Sequence, residues 1–382
     1  MRKILAVLVD RANYGRMKPV LTSLQNDPDI DLEVLCTGTM LLQRFGKVSD
    51  IVEHDGFNVT SKVYIEIEGS NPTTMSKSIG LGIIQFSTEF ERINPDFVLL
   101  IGDRYEALAV SISAAYMNIP IAHIQGGEVS GSIDESCRHA ITKFSHLHFP
   151  STQRSADYII RMGEDDKSVF NVGCPAGDYI LSLPDDLTSQ DIQGGIGHPI
   201  DLSKPYLLVI FHPVTTHKNP RQEVEEILYA LDTIGMQTIW LWPNVDAGSD
   251  RISSAIRAFR ESHDAEWLYL IKNFKPEVFQ KVLKKAACAV GNSSSFIRDS
   301  TFSGVPVVLV GDRQVGRERG ANTLETELER EHIIKAVSAQ IEHGRYEGCN
   351  IYGNGNASQK ITEILKSFEP NIQKTISYVG ER

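Results

Sequence analysis

Residues 291–295, with the sequence Gly-Asn-Ser-Ser-Ser, join an apolar run to a stretch with helical spacing. Helix N-termini present unpaired N–H groups and partial positive charge, so a turn of this kind suits a phosphate or a diphosphate. An ordinary serine N-cap explains the turn equally well, because the turn contains neither a G-x-G-x-x-G fingerprint nor a P-loop lysine. Arg313 follows the next apolar run and could pair with the same anion, and Asp299 could bind a ribose diol. Together these residues favour a nucleotide diphosphate as the ligand.

Carboxylates gather after neighbouring apolar runs in the first half of the chain. Asp103 and Glu128 each follow such a run through glycine residues, and Asp134 lies in the segment that comes next. Proton transfer at carbon needs a base that takes a proton and an acid for the leaving oxygen, both at the rim of a cleft. His212 follows the first apolar run of the second half, where a group that titrates near neutral pH can donate to a phosphate or act as an acid. These four residues are the predicted catalytic set.

Structural roles explain several of their neighbours. The Ser-x-x-Glu pattern that ends at Glu135 matches a capping box, which predicts a structural role for Glu135. Arg138 lies four residues beyond Asp134, a spacing that predicts an ion pair on one helix face. His146 and His148 lie two apart on a predicted strand and share one face, but no third ligand follows at a recognisable spacing. We therefore predict no metal site.

Short apolar runs recur at intervals of roughly 25–35 residues and alternate with segments of helical spacing, the pattern typical of a parallel sheet. Ligands bind beyond the carboxyl ends of the strands in such sheets, so the residues above should line one cleft. The pattern pauses once, at 181–204, where Gly, Pro, Asp and Ser are frequent. It predicts an N-terminal domain at 1–180, a linker at 181–204, a C-terminal domain at 205–356 and a final helical segment, 357–382, that returns to the first domain. Strands are predicted at 3–9, 32–37, 63–67, 97–101, 119–124, 147–149, 169–172, 206–211, 238–241, 267–271, 287–290 and 305–310.

Charge and composition exclude several classes of partner. The 382 residues carry 38 Lys and Arg against 49 Asp and Glu, a net charge of −11. Nucleic acids and anionic membranes both require a concentrated basic face, which this acidic chain lacks. Its apolar runs are much shorter than the roughly 20 residues of a membrane span, and its first residues do not match a signal peptide. The 5 cysteines form no C-x-x-C pair, so we expect reduced thiols and a cytoplasmic protein.

Several segments match one known family. They lie at 10–14, 102–104, 123–143, 212–216, 243–248, 291–294, 313–318 and 351–357, and the long block at 123–143 is the most specific of them. Through these segments the chain resembles the hydrolysing UDP-N-acetylglucosamine 2-epimerases over nearly its whole length. That family includes the monofunctional bacterial enzymes of sialic-acid synthesis and the epimerase half of the bifunctional animal enzyme; the chain resembles the monofunctional members.

The resemblance implies an α/β fold of two Rossmann-like domains that face each other across a cleft, the GT-B arrangement, with UDP held by the second domain. Family members carry Glu at the position of Asp299, and often Glu or His at the position of Gln125, so these two residues bear on ribose geometry and sugar preference. We place Arg104 with the substrate-binding residues. The resemblance implies that the nucleotide lies among Arg11, His212, Asn244, Ser293, Ser294, Asp299 and Arg313, and the sugar among Asp103, Glu128 and Asp134.

The implied reaction converts UDP-N-acetylglucosamine and water to N-acetylmannosamine and UDP, by elimination to 2-acetamidoglucal and hydration, with no cofactor or metal. We expect Glu128 and Asp134 as the acid–base pair, Asp103 as a supporting carboxylate and His212 at the diphosphate. The family also suggests a homodimer or homotetramer. Three alternatives remain open: the same reaction on UDP-N,N′-diacetylbacillosamine in legionaminic-acid synthesis, a glycosyltransferase of the same architecture, and a catalytically silent protein that binds a UDP-sugar.

Overall fold

The structure is a computed structural model that describes residues 1–243 and 245–377. Strands and helices alternate along most of the chain. The strands are β1 (Arg2–Leu8), β2 (Ile30–Thr37), β3 (Val59–Val63), β4 (Phe97–Ile101), β5 (Ile121–Ile124), β6 (Leu147–Phe149), β7 (Ile196–Gly197), β8 (Leu207–Ile210), β9 (Thr238–Leu241), β10 (Leu268–Ile271), β11 (Cys288–Gly291), β12 (Val307–Val310) and β13 (Thr323–Thr326). The helices are α1 (Arg11–Gln25), α2 (Val48–His54), α3 (Pro72–Ile93), α4 (Tyr105–Tyr116), α5 (Ile133–Phe144), α6 (Gln153–Arg161), α7 (Gly177–Ile180), α8 (Pro220–Ile234), α9 (Ser249–Ser262), α10 (Pro276–Lys285), α11 (Ser294–Ser303), α12 (Arg330–His343) and α13 (Ala357–Ser367).

The first sheet has six strands in the order β3-β2-β1-β4-β5-β6, and every pair is parallel. Its central strand β1 is apolar without interruption from Ile4 to Leu8 because both faces of the sheet are covered there. Ile4, Ala6 and Leu8 point toward α1 and α13, while Leu5 and Val7 point toward α3 and α4. The strand order is that of a dinucleotide-binding Rossmann fold.

The second sheet has seven strands in the order β13-β12-β11-β8-β9-β10-β7. Its strands are parallel except β7, which pairs antiparallel with β10 at one edge. One face packs on α8, α9 and α12, and the other packs on α10 and α11. Each sheet therefore forms a three-layer sandwich with helices on both sides.

The strand order reverses between β1 and β4 in the first sheet and between β8 and β11 in the second. Ligands of open α/β sheets bind at such reversal points, beyond the carboxyl ends of the strands. Asp10 and Asp103 follow β1 and β4, and His212 and Asn292 follow β8 and β11. The topology alone thus places Asp103 and His212, both singled out in the sequence, at the two reversal points.

Helix α13 lies against α1 of the first sheet although it follows the second sheet in the chain. Ile361 and Leu365 are fully buried in the core that α13 shares with α1. At the end of α13, the Arg2 Nη1 donates to the carbonyl of Leu365 at 2.7 Å, and Lys366 Nζ lies 3.0 Å from Asp27 Oδ2. Helix α13 is therefore part of the hydrophobic core on one face of the first sheet.

Some predicted strands differ from the observed ones. The strand expected at 63–67 lies at Val59–Val63. Of the edge strand β3 only Val63 is buried, and Ile65, beyond its end, packs in the core with α3 and α4. The strand expected at 169–172 is reduced to one bridge between His148 and Val169. The chain turns away there at Gly173, whose φ of +90° and close approach to Gly353 leave no room for a side chain. Sequence patterns missed β7 and β13, which are short edge strands with few buried residues.

The predicted linker at 181–204 contains β7, so this segment also contributes to the second sheet. The proposed division of the chain at this segment stays a prediction. Over the ranges 1–243 and 245–377, every helix is too short or too polar to pass through a bilayer.

We predict that Ile361→Ala lowers the free energy of unfolding by about 2–5 kcal/mol, because truncation leaves a cavity in the core that α13 shares with α1. Denaturant titration measures the change. Lys360→Ala is the matched control, since Lys360 is exposed on the same helix and its loss should change stability by no more than about 0.5 kcal/mol. Equal effects of the two variants would contradict the packing of α13 described here.

Candidate functional site

A cavity of about 480 Å³ lies between the carboxyl edges of the two sheets. Its size is that of a site for a small organic ligand. Residues from both halves of the chain form its wall, which includes nine of the residues singled out in the sequence. These nine are Arg11, Asp103, Arg104, Asp134, His212, Ser293, Ser294, Asp299 and Arg313.

The N-terminus of α11 forms one wall of the cavity. Ser293 is the N-cap residue with extended backbone, and its Oγ lies 2.7 Å from the Oγ of Ser295. The Oγ of Ser294 accepts a hydrogen bond from Arg298 at 2.7 Å. The first N–H groups of α11 have no partner within the helix, so they and the partial positive charge of the helix end are available to an anion.

Asn292 ties the end of β11 to the end of β8. Its Nδ2 donates to the carbonyl of His212, and its Oδ1 accepts from the backbone N–H of His212, both at 2.8 Å. Burial lowers the pKa of His212 well below its usual value, and the positive charges of Arg313 and Arg11 add to the shift. The imidazole is therefore neutral near pH 7, with one donor and one acceptor nitrogen.

Asp299 offers a hydrogen-bond acceptor inside the cavity wall. Its Oδ2 accepts from Gln280 Nε2 at 2.8 Å, while its buried Oδ1 has no partner among the described residues. Burial raises the pKa of this carboxyl. A buried oxygen without a hydrogen-bond partner is costly, so the site favours a ligand whose hydroxyl donates a hydrogen bond to it.

Asp103 and Asp134 face the same cavity with opposite electrostatic surroundings. Burial opposes ionisation of Asp103, but the charges of Arg138 and Arg317 outweigh it and hold its pKa well below the usual value. Burial raises the pKa of Asp134, and the negative charge of Asp103 adds to the shift. Asp134 Oδ2 lies 3.2 Å from Arg313 Nη2. Of two carboxyls with separated pKa values, the one with the lower pKa can remain a fixed negative charge while the other accepts and releases a proton.

Glu128 is placed differently from these two carboxylates. Its side chain is only 3% exposed and is not part of the cavity wall described above. Arg298 Nη1 donates to its Oε2 at 2.7 Å, and Arg317 forms a second ion pair with the same oxygen. Both arginines belong to the second half of the chain, so Glu128 links the two halves.

A close backbone approach accompanies this link. The N–H of Gly131, in the loop before α5, donates to the carbonyl of Arg313 at 2.9 Å. A Cβ at this position would lie 2.1 Å from the carbonyl oxygen of Asp312, so only glycine fits. The loop that carries Glu128 and leads to Asp134, in the first turn of α5, is thereby held against the second half.

Two sequence predictions near this loop are wrong in detail. Glu135 accepts the backbone N–H of Ser130 at 2.6 Å instead of closing a capping box with Ser132, because the loop turns toward the second half. Arg138 pairs with Asp103 instead of Asp134, with its Nε 3.1 Å from Asp103 Oδ2. Arg138 lies on the buried face of α5, which packs toward the end of β4.

Other residues singled out in the sequence lie away from the cavity wall. Gln125 donates to the Sγ of Cys174 at 3.3 Å. His146 accepts from the N–H of Ile121 at 3.2 Å, and the buried His148 lies 3.2 Å from Glu164 Oε2. Asn244 lies outside the described residues, and its expected role stays a prediction.

Sequence reasoning missed several cavity residues. The guanidinium of Arg16 lines the cavity, and its buried Nε has no partner among the described residues. Gln280, which holds Asp299, also lines the wall. No local sequence pattern identifies either Arg16 or Gln280.

Comparison with known proteins gives concordant matches. A family model described as UDP-N-acetylglucosamine 2-epimerase matches residues 22–366. A UDP-N,N′-diacetylbacillosamine 2-epimerase (hydrolyzing) of Legionella pneumophila is 33% identical over 368 residues, 96% of this chain and 96% of that protein. A UDP-N-acetylglucosamine 2-epimerase of Neisseria meningitidis is 30% identical over 376 residues, 97% of this chain and 96% of that protein.

The solved structures agree with the observed architecture. The crystal structure of UDP-GlcNAc 2-epimerase from Neisseria meningitidis bound to UDP-GlcNAc superposes with a TM-score of 0.78 at 19% identity. The alignment covers 95% of this chain and 99% of that chain. At this identity the likeness shows the fold, and it confirms the predicted fold class of two Rossmann-like domains in the GT-B arrangement.

We predict that Glu128→Gln lowers the free energy of unfolding by about 3–5 kcal/mol, because Arg298 and Arg317 lose a buried counter-charge. Denaturant titration of both proteins measures the loss. Glu369→Gln removes the exposed partner of Arg2 and serves as control, with an expected change of no more than about 1 kcal/mol. A Glu128→Gln protein as stable as the wild type would contradict the structural role of this ion pair.

Proposed function

The chain belongs to the UDP-N-acetylglucosamine 2-epimerase family, as its sequence resemblance predicted, and on this premise we propose that it is a hydrolysing UDP-sugar 2-epimerase. One observation carries the proposal. Two carboxylates with separated pKa values, Asp103 and Asp134, share a cavity with the N-terminus of α11. Proton-transfer groups therefore lie next to a site for a leaving diphosphate. The comparisons support neither a glycosyltransferase nor a catalytically silent binding protein.

We place the nucleotide in the second half of the chain. The amide groups that begin α11 would bind the diphosphate together with Arg313 and Arg11. The neutral His212 would donate one hydrogen bond to it. The free Oδ1 of Asp299 would accept from a ribose hydroxyl, while Gln280 keeps the carboxylate in place. Asn244, Ser293 and Ser294 complete the proposed nucleotide site.

The order of the bond changes follows from the acidity of the sugar. The C2 proton is not adjacent to a carbonyl, so a base alone cannot remove it easily. The C1–O bond to UDP breaks first and leaves an oxocarbenium-like centre, as in glycoside hydrolysis, and the helix end and arginines stabilise the charge on the departing diphosphate. Loss of the C2 proton then gives 2-acetamidoglucal. Water adds its hydroxyl at C1, and C2 receives a proton on the opposite face, which yields the inverted sugar.

The carboxylates have separate roles in this scheme. We propose Asp134 as the group that takes the C2 proton, because its raised pKa makes it a stronger base than an ordinary carboxylate. Asp103 stays ionised beside Arg138 and faces the cationic centre as a fixed negative charge. Glu128 holds Arg298 and Arg317 across the cleft, and its expected part in proton transfer as the partner of Asp134 stays a prediction.

Two UDP-sugars are candidate substrates. The resemblance favours UDP-N-acetylglucosamine, with N-acetylmannosamine as the product for sialic-acid synthesis. The 33% identity with the Legionella pneumophila enzyme favours UDP-N,N′-diacetylbacillosamine and a role in legionaminic-acid synthesis as the second candidate. We further propose a cytoplasmic homodimer or homotetramer that needs no cofactor, metal, nucleic acid or membrane.

Deuterium incorporation tests the reaction. In deuterated water the enzyme should release UDP and an inverted sugar with one deuterium at C2, because the C2 proton is exchanged between elimination and hydration. Mass spectrometry and NMR of the products from each UDP-sugar report both the reaction and the preferred substrate. Product without deuterium at C2 would refute the elimination route, and no turnover of either UDP-sugar would refute the proposed function.

Asp134→Asn should lower kcat by about 10²–10⁴-fold, the usual contribution of a positioned base, while the Kd for UDP changes less than about threefold. Steady-state kinetics and calorimetry measure the two quantities. Glu135→Gln is the matched control. The Glu135 carboxylate accepts the backbone N–H of Ser130 and is not part of the cavity wall, so this variant should keep kcat within about threefold of the wild type. Equal losses in the two variants would rule out the assignment of Asp134.

A further inference from the structure

Glu106, in the first turn of α4, is a buried carboxylate that the proposed reaction does not use. Its side chain is 0% exposed. Its two oxygens accept hydrogen bonds from Nε and Nη2 of Arg104, each at 3.2 Å. A two-point contact of this kind fixes the plane and the direction of a guanidinium, which a single contact does not.

The remaining nitrogen of Arg104 points across the cleft. Its Nη1 donates to Oδ1 of Asp246, which lies between β9 and α9 in the second half of the chain. Asp246 is also close enough for its charge to act on the buried His212. Because Arg104 lines the cavity, this ion pair joins the two halves at the cavity wall.

Glu66 and Tyr105 complete the surroundings of Glu106. Glu66 is hydrogen-bonded to Glu106, and the hydroxyl of Tyr105 lies 2.9 Å from both oxygens of Glu66. Burial raises the pKa of both carboxyls, and that of Glu106 reaches about 8 despite the opposing charge of Arg104. With the pKa of Glu106 at about 8, this hydrogen-bonded pair of carboxyls retains a proton near neutral pH.

We propose that Glu106 is a positioning residue for substrate binding, which holds the Arg104 guanidinium so that its Nη1 meets Asp246 across the cleft. This inference rests on the proposed function and deepens it. Without Glu106 the long side chain of Arg104 can rotate, and the pair with Asp246 forms in a smaller fraction of molecules. In this proposal the substrate binds the state in which the pair is formed. The apparent affinity therefore falls in proportion to the fraction of molecules that keep the pair, although no group that touches the substrate has changed.

Glu106→Gln keeps the size of the side chain but replaces one of its two acceptor oxygens with an NH2 donor, so it can accept from only one of the two Arg104 nitrogens. The KM for the UDP-sugar and the Kd for UDP should both rise about tenfold, while kcat stays within about threefold of the wild type. Glu164→Gln is the matched control, since Glu164 is a buried carboxylate of the first half that pairs with Lys143 and Lys374 away from the cavity wall. This control should lower the melting temperature and leave KM unchanged.

A double-mutant cycle separates positioning from general damage. Asp246→Asn should raise KM about tenfold, and Glu106→Gln combined with Asp246→Asn should raise it no more than about twofold further, because both changes break the same link. If Glu106→Gln does not fold, Glu106→Asp replaces it, since the shorter carboxylate cannot reach both nitrogens of Arg104. An unchanged KM in the folded single variant, or increases that multiply to about a hundredfold, would overturn the inference. Wild-type protein without turnover of either UDP-sugar would instead overturn the proposed function.

Discussion

Buried charges that meet across the cleft hold the two halves of the chain in register. Glu128 of the first half faces Arg298 and Arg317 of the second, and Arg104 of the first half faces Asp246. A buried charge without a partner costs several kcal/mol, so each half presents groups that the other half must neutralise. This requirement restricts which residues of the two sheet edges can face one another across the cleft.

The same pairing explains how an acidic chain can bind a diphosphate. Although the whole chain has a net charge of −11, positive and negative groups lie on different walls of the site. The proposed diphosphate position has the amide groups at the start of α11 and the side chain of Arg313, whereas the proposed sugar position has Asp103 and Asp134. One wall of the cavity thus stabilises a departing anion, and the other stabilises a developing cation and accepts a proton. That division of charge fits heterolysis of the bond between sugar and UDP.

The sequence predicted the strands that are buried on both faces, because unbroken apolar runs such as Ile4–Leu8 in β1 and Phe97–Ile101 in β4 have few alternative structures. It also predicted the residues that follow them, including Asp103 and His212, since strand ends gather at one sheet edge. The partners of these residues could not be predicted. Arg298 is 170 positions from Glu128 in the chain, and only the packing of the two halves brings them together. The edge strands β7 and β13 were missed because they bury little apolar surface.

A crystal structure of the complex with UDP tests the central claim most directly, namely that the cleft between the sheets is the nucleotide-sugar site. The account predicts the diphosphate within about 3 Å of the first amide nitrogens of α11 and of Arg313, with a ribose hydroxyl bonded to Asp299 Oδ1. It also predicts that the pair between Arg104 and Asp246 is intact in the complex. UDP bound outside this cleft, or bound with its diphosphate away from α11, would contradict the account.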